Sequence, residues 1–160
     1  MTKVQQATLL FLIKSKNDKP SQICLAMKKR GFGVGKWNGV GGKINDSDKS
    51  IKDTAIRETI EEINVVPKNL KRVATLTFEY PLHADWNQIV YAYITDKWDG
   101  TPTESEEMRP KWFNVSDIPF SQMWPDDKYW IPEVLSGKLI KAKFVFGENN
   151  EILEKYIEFI

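Results

Sequence analysis

Ser50-Ile51-Lys52-Asp53-Thr54-Ala55-Ile56-Arg57-Glu58-Thr59-Ile60-Glu61-Glu62-Ile63-Asn64 is the stretch that decides the architecture. Ile51, Ala55, Thr59 and Ile63 recur at helical spacing, with Ile56 and Ile60 beside them, so one stripe of a helix is apolar. Ser50 and Asp53 have capping-box form, with Asp where Glu or Gln is usual, and this predicts a helix over about residues 50–63. Asn64 tolerates the left-handed conformation at a helix end, and Pro67 prevents easy continuation.

On both sides of this helix the chain reads as strands. Residues 7–14 and 22–27 are short apolar or β-branched runs, separated by the turn-rich Lys16-Asn17-Asp18-Lys19-Pro20-Ser21. Further strands are expected near residues 72–80, 88–95, 110–115, 142–146 and 153–159, interrupted by a short helix at 126–135 that Gly137 ends. Strands around one strong and one short helix predict a mixed α/β (α+β) class, built on one sheet as a single domain over residues 1–160. No internal repeat, low-complexity tract or linker interrupts it.

The predicted helix carries an unusual charge pattern. At about 100° per residue, Glu58 and Glu62 stack one turn apart with Glu61 about 60° to the side, so three carboxylates share an arc beside the apolar stripe. They repel one another, and they lie in the last two turns, where the helix dipole favours cations. Arg57 and Glu61 form an i,i+4 pair in the less favourable order, and no basic residue follows Glu58 or Glu62 at that spacing. A hard divalent cation such as Mg²⁺ would compensate, because it takes carboxylate oxygens and fills its shell with water and phosphate oxygens. A solvated acidic face is the alternative.

Context favours a site. Residues 28–43 contain Gly31, Gly33, Gly35, Gly39, Gly41 and Gly42, out of nine glycines in the chain, together with Lys28, Lys29, Arg30, Lys36 and Lys43. Glycine lets backbone approach phosphate oxygens, so cation and anion partners are adjacent in sequence. The spacing matches neither a P-loop nor a dinucleotide-binding Gly-x-Gly-x-x-Gly.

Composition narrows the rest. Lys and Arg total 23 against 22 Asp and Glu, a net charge of +1, which speaks against long nucleic acid as a partner because such binding needs an extended basic surface. Six Trp, five Tyr and eight Phe are rich for 160 residues and point to a planar ligand or a large core. One cysteine, Cys24, sits in an apolar run and cannot form an intramolecular disulfide, which fits a reducing compartment. The opening Met1-Thr2-Lys3-Val4-Gln5-Gln6 precedes only seven apolar-leaning residues, too few to span a bilayer and without a signal peptide's cleavage site. A cytoplasmic protein with no membrane partner is expected, and no feature marks a subunit interface, so a monomer is expected too.

The run from Gly42 to Asp48, then eight residues to Arg57-Glu58-Thr59-Ile60-Glu61-Glu62-Ile63-Asn64-Val65, resembles the signature of the nudix hydrolases. Asp48 replaces its first Glu, one extra residue precedes Arg57, and Thr59 and Asn64 replace an apolar residue and a Gly. The insertion falls ahead of the helix, so the spacing of Glu58, Glu61 and Glu62 is intact. Met27-Lys-Lys-Arg-Gly-Phe-Gly33, Gly35-Lys-Trp-Asn-Gly39, Gly100-Thr-Pro102, Glu107-Met-Arg-Pro110, Met123-Trp-Pro-Asp-Asp127 and Tyr129-Trp130 extend the resemblance. They point to MutT-type members that act on oxidised purine nucleoside triphosphates.

That resemblance implies a mixed sheet sandwiched between helices, and hydrolysis of 8-oxo-dGTP or 2-hydroxy-dATP to monophosphate and pyrophosphate, sanitising the nucleotide pool. It implies Mg²⁺, with Mn²⁺ as a substitute, held by Glu58 and Glu62 with support from Glu61, Glu107 and the Gly42 carbonyl. Glu58 or Glu107 serves as base, and Arg57 orients a carboxylate. The implied purine pocket comprises Thr8, Lys28, Phe32, Asn38, Phe78, Trp124, Asp126, Asp127 and Trp130.

Trp and Phe faces can stack on a purine, Asn38 can donate and accept, and two neighbouring Asp can share a proton, making one of them a donor. Ordinary helix capping is the alternative for Asp126 and Asp127. Trp37, Trp112 and Phe113 are expected in the core, Lys29 and Arg30 as solvated charges, and His83 as a loop residue. Trp86, in the loop 81–88 where the chain departs from its relatives, could add a further pocket face. Two other functions remain open at this level: hydrolysis of another nucleoside diphosphate-linked compound, and non-catalytic binding of a nucleotide or RNA.

Overall fold

The computed structural model describes residues 4–160; Met1 to Lys3, part of the N-terminal reading above, lie outside the described residues. The strands are β1 (Gln5–Lys16), β2 (Lys19–Lys28), β3 (Trp37–Asn38), β4 (Val66–Lys68), β5 (Lys71–Glu79), β6 (Gln88–Thr95), β7 (Lys97–Asp99), β8 (Met108–Asn114), β9 (Ile140–Phe146) and β10 (Ile152–Phe159). Two α-helices accompany them, α1 (Ile51–Ile63) and α2 (Asp127–Leu135). The sheet runs β10-β9-β5-β6-β1-β2-β3, with β8 on the outer edge of β2, while β4 and β7 pair separately. β1 with β6 and β5 with β9 are parallel and the other pairs antiparallel, so the sheet is mixed.

Alternation along the strands sorts side chains onto two faces. Phe11, Ile13, Leu25, Leu76, Phe78 and Phe144 face α2, whose Trp130, Ile131 and Val134 complete one core. Leu10, Leu12, Tyr93 and Met108 face the other way and meet Ala55 and Ile63 of α1. The sheet is therefore covered by a helix on each side, as expected. Trp37 is buried with its ring edge-on to Phe113 at 4.9 Å, and Trp112 stacks on Trp98 at 5.7 Å.

Helix α1 starts and stops where its end signals lie. The Ser50 hydroxyl accepts from the Asp53 backbone N–H at 3.1 Å, and Asn64 adopts φ 60°, its N–H closing on the Ile60 carbonyl. Three short strands, β3, β4 and β7, carry no periodic signal at two or three residues each, and the sequence does not reveal them.

One irregularity makes room for a site. β1 pairs with β2 only at their hairpin end, from Ile13 opposite Ile23 to Lys16 opposite Lys19. Beyond it the two strands part and the segment 37–43 enters between them, bridging Leu10 to Val40 and Ala7 to Lys43. A Cβ on Gly41 would overlap the Thr8 carbonyl carbon and oxygen, so this close approach demands glycine. Among the described residues, no helix is long and apolar enough to cross a membrane.

Candidate active site

A cavity of about 800 Å³ opens where β1 and β2 part, bounded by α1, the loops 28–36 and 105–108, and the turn before α2. Its ends differ in chemistry. One is lined by Arg57, Glu58, Glu61, Glu62 and Glu107, the other by Thr8, Phe32, Asn38, Phe78, Trp124, Asp126 and Asp127.

At the acidic end the structure shows what offsets the repulsion along α1. Asp48 binds Arg57 with both oxygens, at 2.9 Å to Nε and 3.0 Å to Nη2. Arg57 Nη1 then donates to Glu58 at 3.0 Å and to Glu61 at 3.2 Å. Asp48 also accepts from the Thr54 hydroxyl at 2.8 Å and from the Asn45 N–H, so the inserted loop closes onto the helix. The Arg57 guanidinium holds the Asp48 carboxyl well below the usual carboxylate range. Asp48, which differs from the family signature, is therefore the anchor of the cluster.

Glu62 accepts from the Gly41 N–H at 3.2 Å and is 5% exposed. Burial pushes its carboxyl up to about 8 and outweighs the Gly41 hydrogen bond, while nearby Glu58 raises it further. Burial likewise raises Glu58, against the pull of Arg57. The Gly42 carbonyl accepts from the Thr8 N–H at 2.9 Å, and a Cβ on Gly42 would lie 2.5 Å from the Glu58 carboxylate. Glu107 faces Lys28 at 3.5 Å and Arg30 at 3.4 Å. Lys29 and Arg30 are not simple solvated charges: Lys29 pairs with Glu104 at 2.5 Å and Arg30 also with Glu106 at 3.7 Å, tying the glycine-rich loop to residues 104–107.

Among the described residues, no three His, Cys, Asp or Glu side chains are grouped closely enough to hold an ion unaided. The donors are all oxygens, from Glu58, Glu62 and Glu107 and the backbone at Gly42. That set fits a hard divalent cation whose shell is completed by water and phosphate oxygens.

At the other end, Phe32 stacks on Trp124 with centroids 5.1 Å apart and planes at 29°, although Phe32 is 58% exposed. Asp126 and Asp127 are buried, and Asp126 accepts from the Trp130 indole N–H at 2.9 Å. Trp130 is completely buried and does not line the cavity, so its expected place in the pocket is corrected: it stands behind Asp126 and orients it. The capping alternative for the Asp pair also fails, because Asp126 occupies the N-cap of α2 without a side-chain cap bond. Burial raises both carboxyls, Asp127 further through the neighbouring Asp126 charge. Asp127 Oδ2 and Thr8 Oγ1 are buried without a hydrogen-bond partner among the described residues. Buried polar atoms of this kind are rare and await a ligand or water.

The expected residues Thr8, Lys28, Phe32, Asn38, Phe78, Trp124, Asp126 and Asp127 all come to one cavity. Tyr80, Gln88, Val90 and Phe146 also line it and were missed by sequence reasoning. Two-residue alternation from Phe78 gives Tyr80, but Gln88 and Phe146 need strand register. Trp86 stays at the rim, 41% exposed, stacked on His83 at 4.1 Å and tilted against Phe32 at 5.9 Å.

The chain belongs to the nudix hydrolases: the NUDIX domain matches residues 4–134. It is 43% identical over 134 residues to the oxidized purine nucleoside triphosphate hydrolase of Mus musculus, covering 84% of this chain and 85% of that protein. The protein of the same name from Danio rerio is 40% identical over 139 residues, covering 87% and 88%. A MutT protein from Bacillus halodurans shares the fold with a TM-score of 0.83 at 21% identity, covering 97% of this chain and 98% of that one.

Proposed function

We propose that this enzyme hydrolyses oxidised purine nucleoside triphosphates, such as 8-oxo-dGTP and 2-hydroxy-dATP, to the monophosphate and pyrophosphate. The observation that carries the reading is one cavity with unpartnered Asp127 and Thr8 oxygens beneath an aromatic wall at one end and the Arg57-braced carboxylates at the other. The names of the mouse and zebrafish relatives agree with it.

Divalent metal ions are general in nudix hydrolases, and we propose Mg²⁺ here; when bound, it would draw charge from the phosphate oxygens and lower the pKa of attacking water. Glu58, Glu62 and Glu107 would hold it, with the Gly42 carbonyl and Glu61 in support. Lys28 offers a cation to the polyphosphate. Glu58 or Glu107 takes the proton of the water that attacks phosphorus. Arg57 stays on the protein side, holding Glu58 in place while Asp48 holds Arg57.

At the base end, Phe32 and Trp124 stack on the ring, Asn38 and Thr8 bond its edge, and the Asp126–Asp127 pair keeps one proton to donate. That lets the pair meet either an altered guanine or an altered adenine. The same proposal takes residues 1–160 as one domain acting as a cytoplasmic monomer; the buried free thiol of Cys24 is in keeping with a reducing compartment.

The test is pyrophosphate release with Mg²⁺ from 8-oxo-dGTP, 2-hydroxy-dATP, dGTP and dATP in parallel, with Glu62→Gln as control. Faster, Glu62-dependent release from the oxidised pair is expected. Turnover confined to other diphosphate-linked nucleosides would overturn the reading.

A further inference from the structure

We propose that Tyr80 and Gln88 form a hydrogen-bonding floor in the base slot and select purines with a polar substituent on the edge that lies against the sheet. This rests on the proposed purine substrate and adds two residues to its recognition. On β5 and β6 Phe78 stands opposite Gln88, and the alternation of side chains carries Tyr80 and Val90 to the same face. With Phe146 of β9, all of them line the cavity. Phe78, Val90 and Phe146 present only carbon, so the phenol and the amide are the two polar tips in an apolar floor.

The tips are held in place. Tyr80 is 4% exposed, its ring stacked on Phe146 at 5.2 Å with planes at 20°, and edge-on to Trp86 at 5.7 Å. Its backbone N–H donates to Asn87 Oδ1 at 2.7 Å. Asn87 immediately precedes Gln88, receives the Gln5 N–H at its carbonyl and donates its own N–H to Ala84. One asparagine thus ties Tyr80 to the start of β6. Among the described residues, neither the Tyr80 hydroxyl nor the Gln88 amide bonds a side chain or the backbone.

Burial, reinforced by the Asp126 carboxylate, pushes the Tyr80 phenol up to about 12, so it keeps its proton and can donate. The Gln88 amide donates and accepts. A base that covers these tips with C–H alone strips them of water and returns nothing, whereas an oxo, hydroxyl or amino group repays the loss. Thr8, Asn38, Asp126 and Asp127 read one side of the ring, and the floor reads another.

The experiment measures binding of 8-oxo-dGMP, dGMP, 2-hydroxy-dAMP and dAMP by calorimetry, beside pyrophosphate release from the triphosphates, in the wild type, Tyr80→Phe and Gln88→Met. Each variant is expected to weaken the oxidised monophosphate that meets the floor about tenfold and its unmodified parent by less than about twofold, the scale of one lost hydrogen bond. The same loss appears in KM, with kcat nearly unchanged. An unaltered preference in both variants, with melting temperatures near the wild type, overturns the floor and leaves the proposed hydrolysis standing. A wild type that binds the oxidised monophosphates through these residues but releases no pyrophosphate overturns the hydrolysis and upholds the floor. A wild type that binds no purine nucleotide overturns both.

Discussion

Asp48 grips Arg57 through two hydrogen bonds of 2.9 and 3.0 Å, and the same guanidinium reaches Glu58 and Glu61 with its remaining nitrogen. A residue outside the helix therefore sets the position of carboxylates within it. Asp48→Ala is expected to lower kcat about 10- to 100-fold, the usual cost of removing a group that orients a ligand, with little change in KM. Steady-state kinetics on 8-oxo-dGTP checks this; a KM effect alone would contradict it. Because Arg57 depresses the Asp48 pKa, that pair's stabilisation is complete above the ordinary carboxylate value and is lost as pH falls below it. Asp48→Asn should accordingly flatten acid unfolding below about pH 4.

Glu62 lies under the Gly41 amide, and a glutamine there can still accept that hydrogen bond. Glu62→Gln is expected to fold as well as the wild type by thermal melting while losing about 100-fold or more in kcat, since it removes a charge placed for phosphate chemistry. Retained activity in a folded variant would exclude Glu62 from the reaction.

The Asp126–Asp127 pair gives the opposite pH sign. Burial raises both pKa values, Asp126 to about 6 and Asp127 well above its usual range. The folded state then holds protons that the unfolded chain releases, so the pair's contribution is full below about pH 4 and falls as pH rises through 6 and beyond. The melting temperature of the nucleotide-free protein should fall across that window, and fall less in Asp127→Asn. The same variant should lose part of its preference for oxidised over normal purines. Equal pH profiles for the two proteins would refute the buried shared proton.

Gly41 and Gly42 separate folding from chemistry. A methyl group on Gly41 collides with the Thr8 backbone, which cannot yield, so Gly41→Ala should cost stability on the scale of core overpacking, about 1–3 kcal/mol or more. On Gly42 it meets the flexible Glu58 carboxylate instead. Gly42→Ala should therefore fold and melt near the wild type but lose activity. Denaturant titration of both variants, with kinetics on the second, distinguishes the two sites.

Helix α1 was legible because its apolar period, its serine cap and its asparagine stop are all local, and the carboxylate arc followed from the helix pitch alone. The longer strands were legible as runs of apolar and β-branched residues. Asp48 was not, since its role depends on closure of the inserted loop onto Arg57, a contact made through space. Tyr80 and Gln88 needed the β5–β6 register, which no single strand encodes. Trp130 read as a pocket aromatic, yet it lies four residues after Asp126, one helical turn on, and that spacing was the available sign that its indole turns inward to a carboxylate.

Thr8 belongs to both halves of the cavity. Its hydroxyl lies unpaired at the base end, while its N–H carries the Gly42 carbonyl at the edge of the acidic end. A base that seats badly against β1 thus tilts the glycine arch on which the phosphates rest. Misfit then registers as a misaligned reaction, a penalty on turnover that exceeds the penalty on occupancy. Fidelity in such a molecule is kept in its clock as much as in its grip.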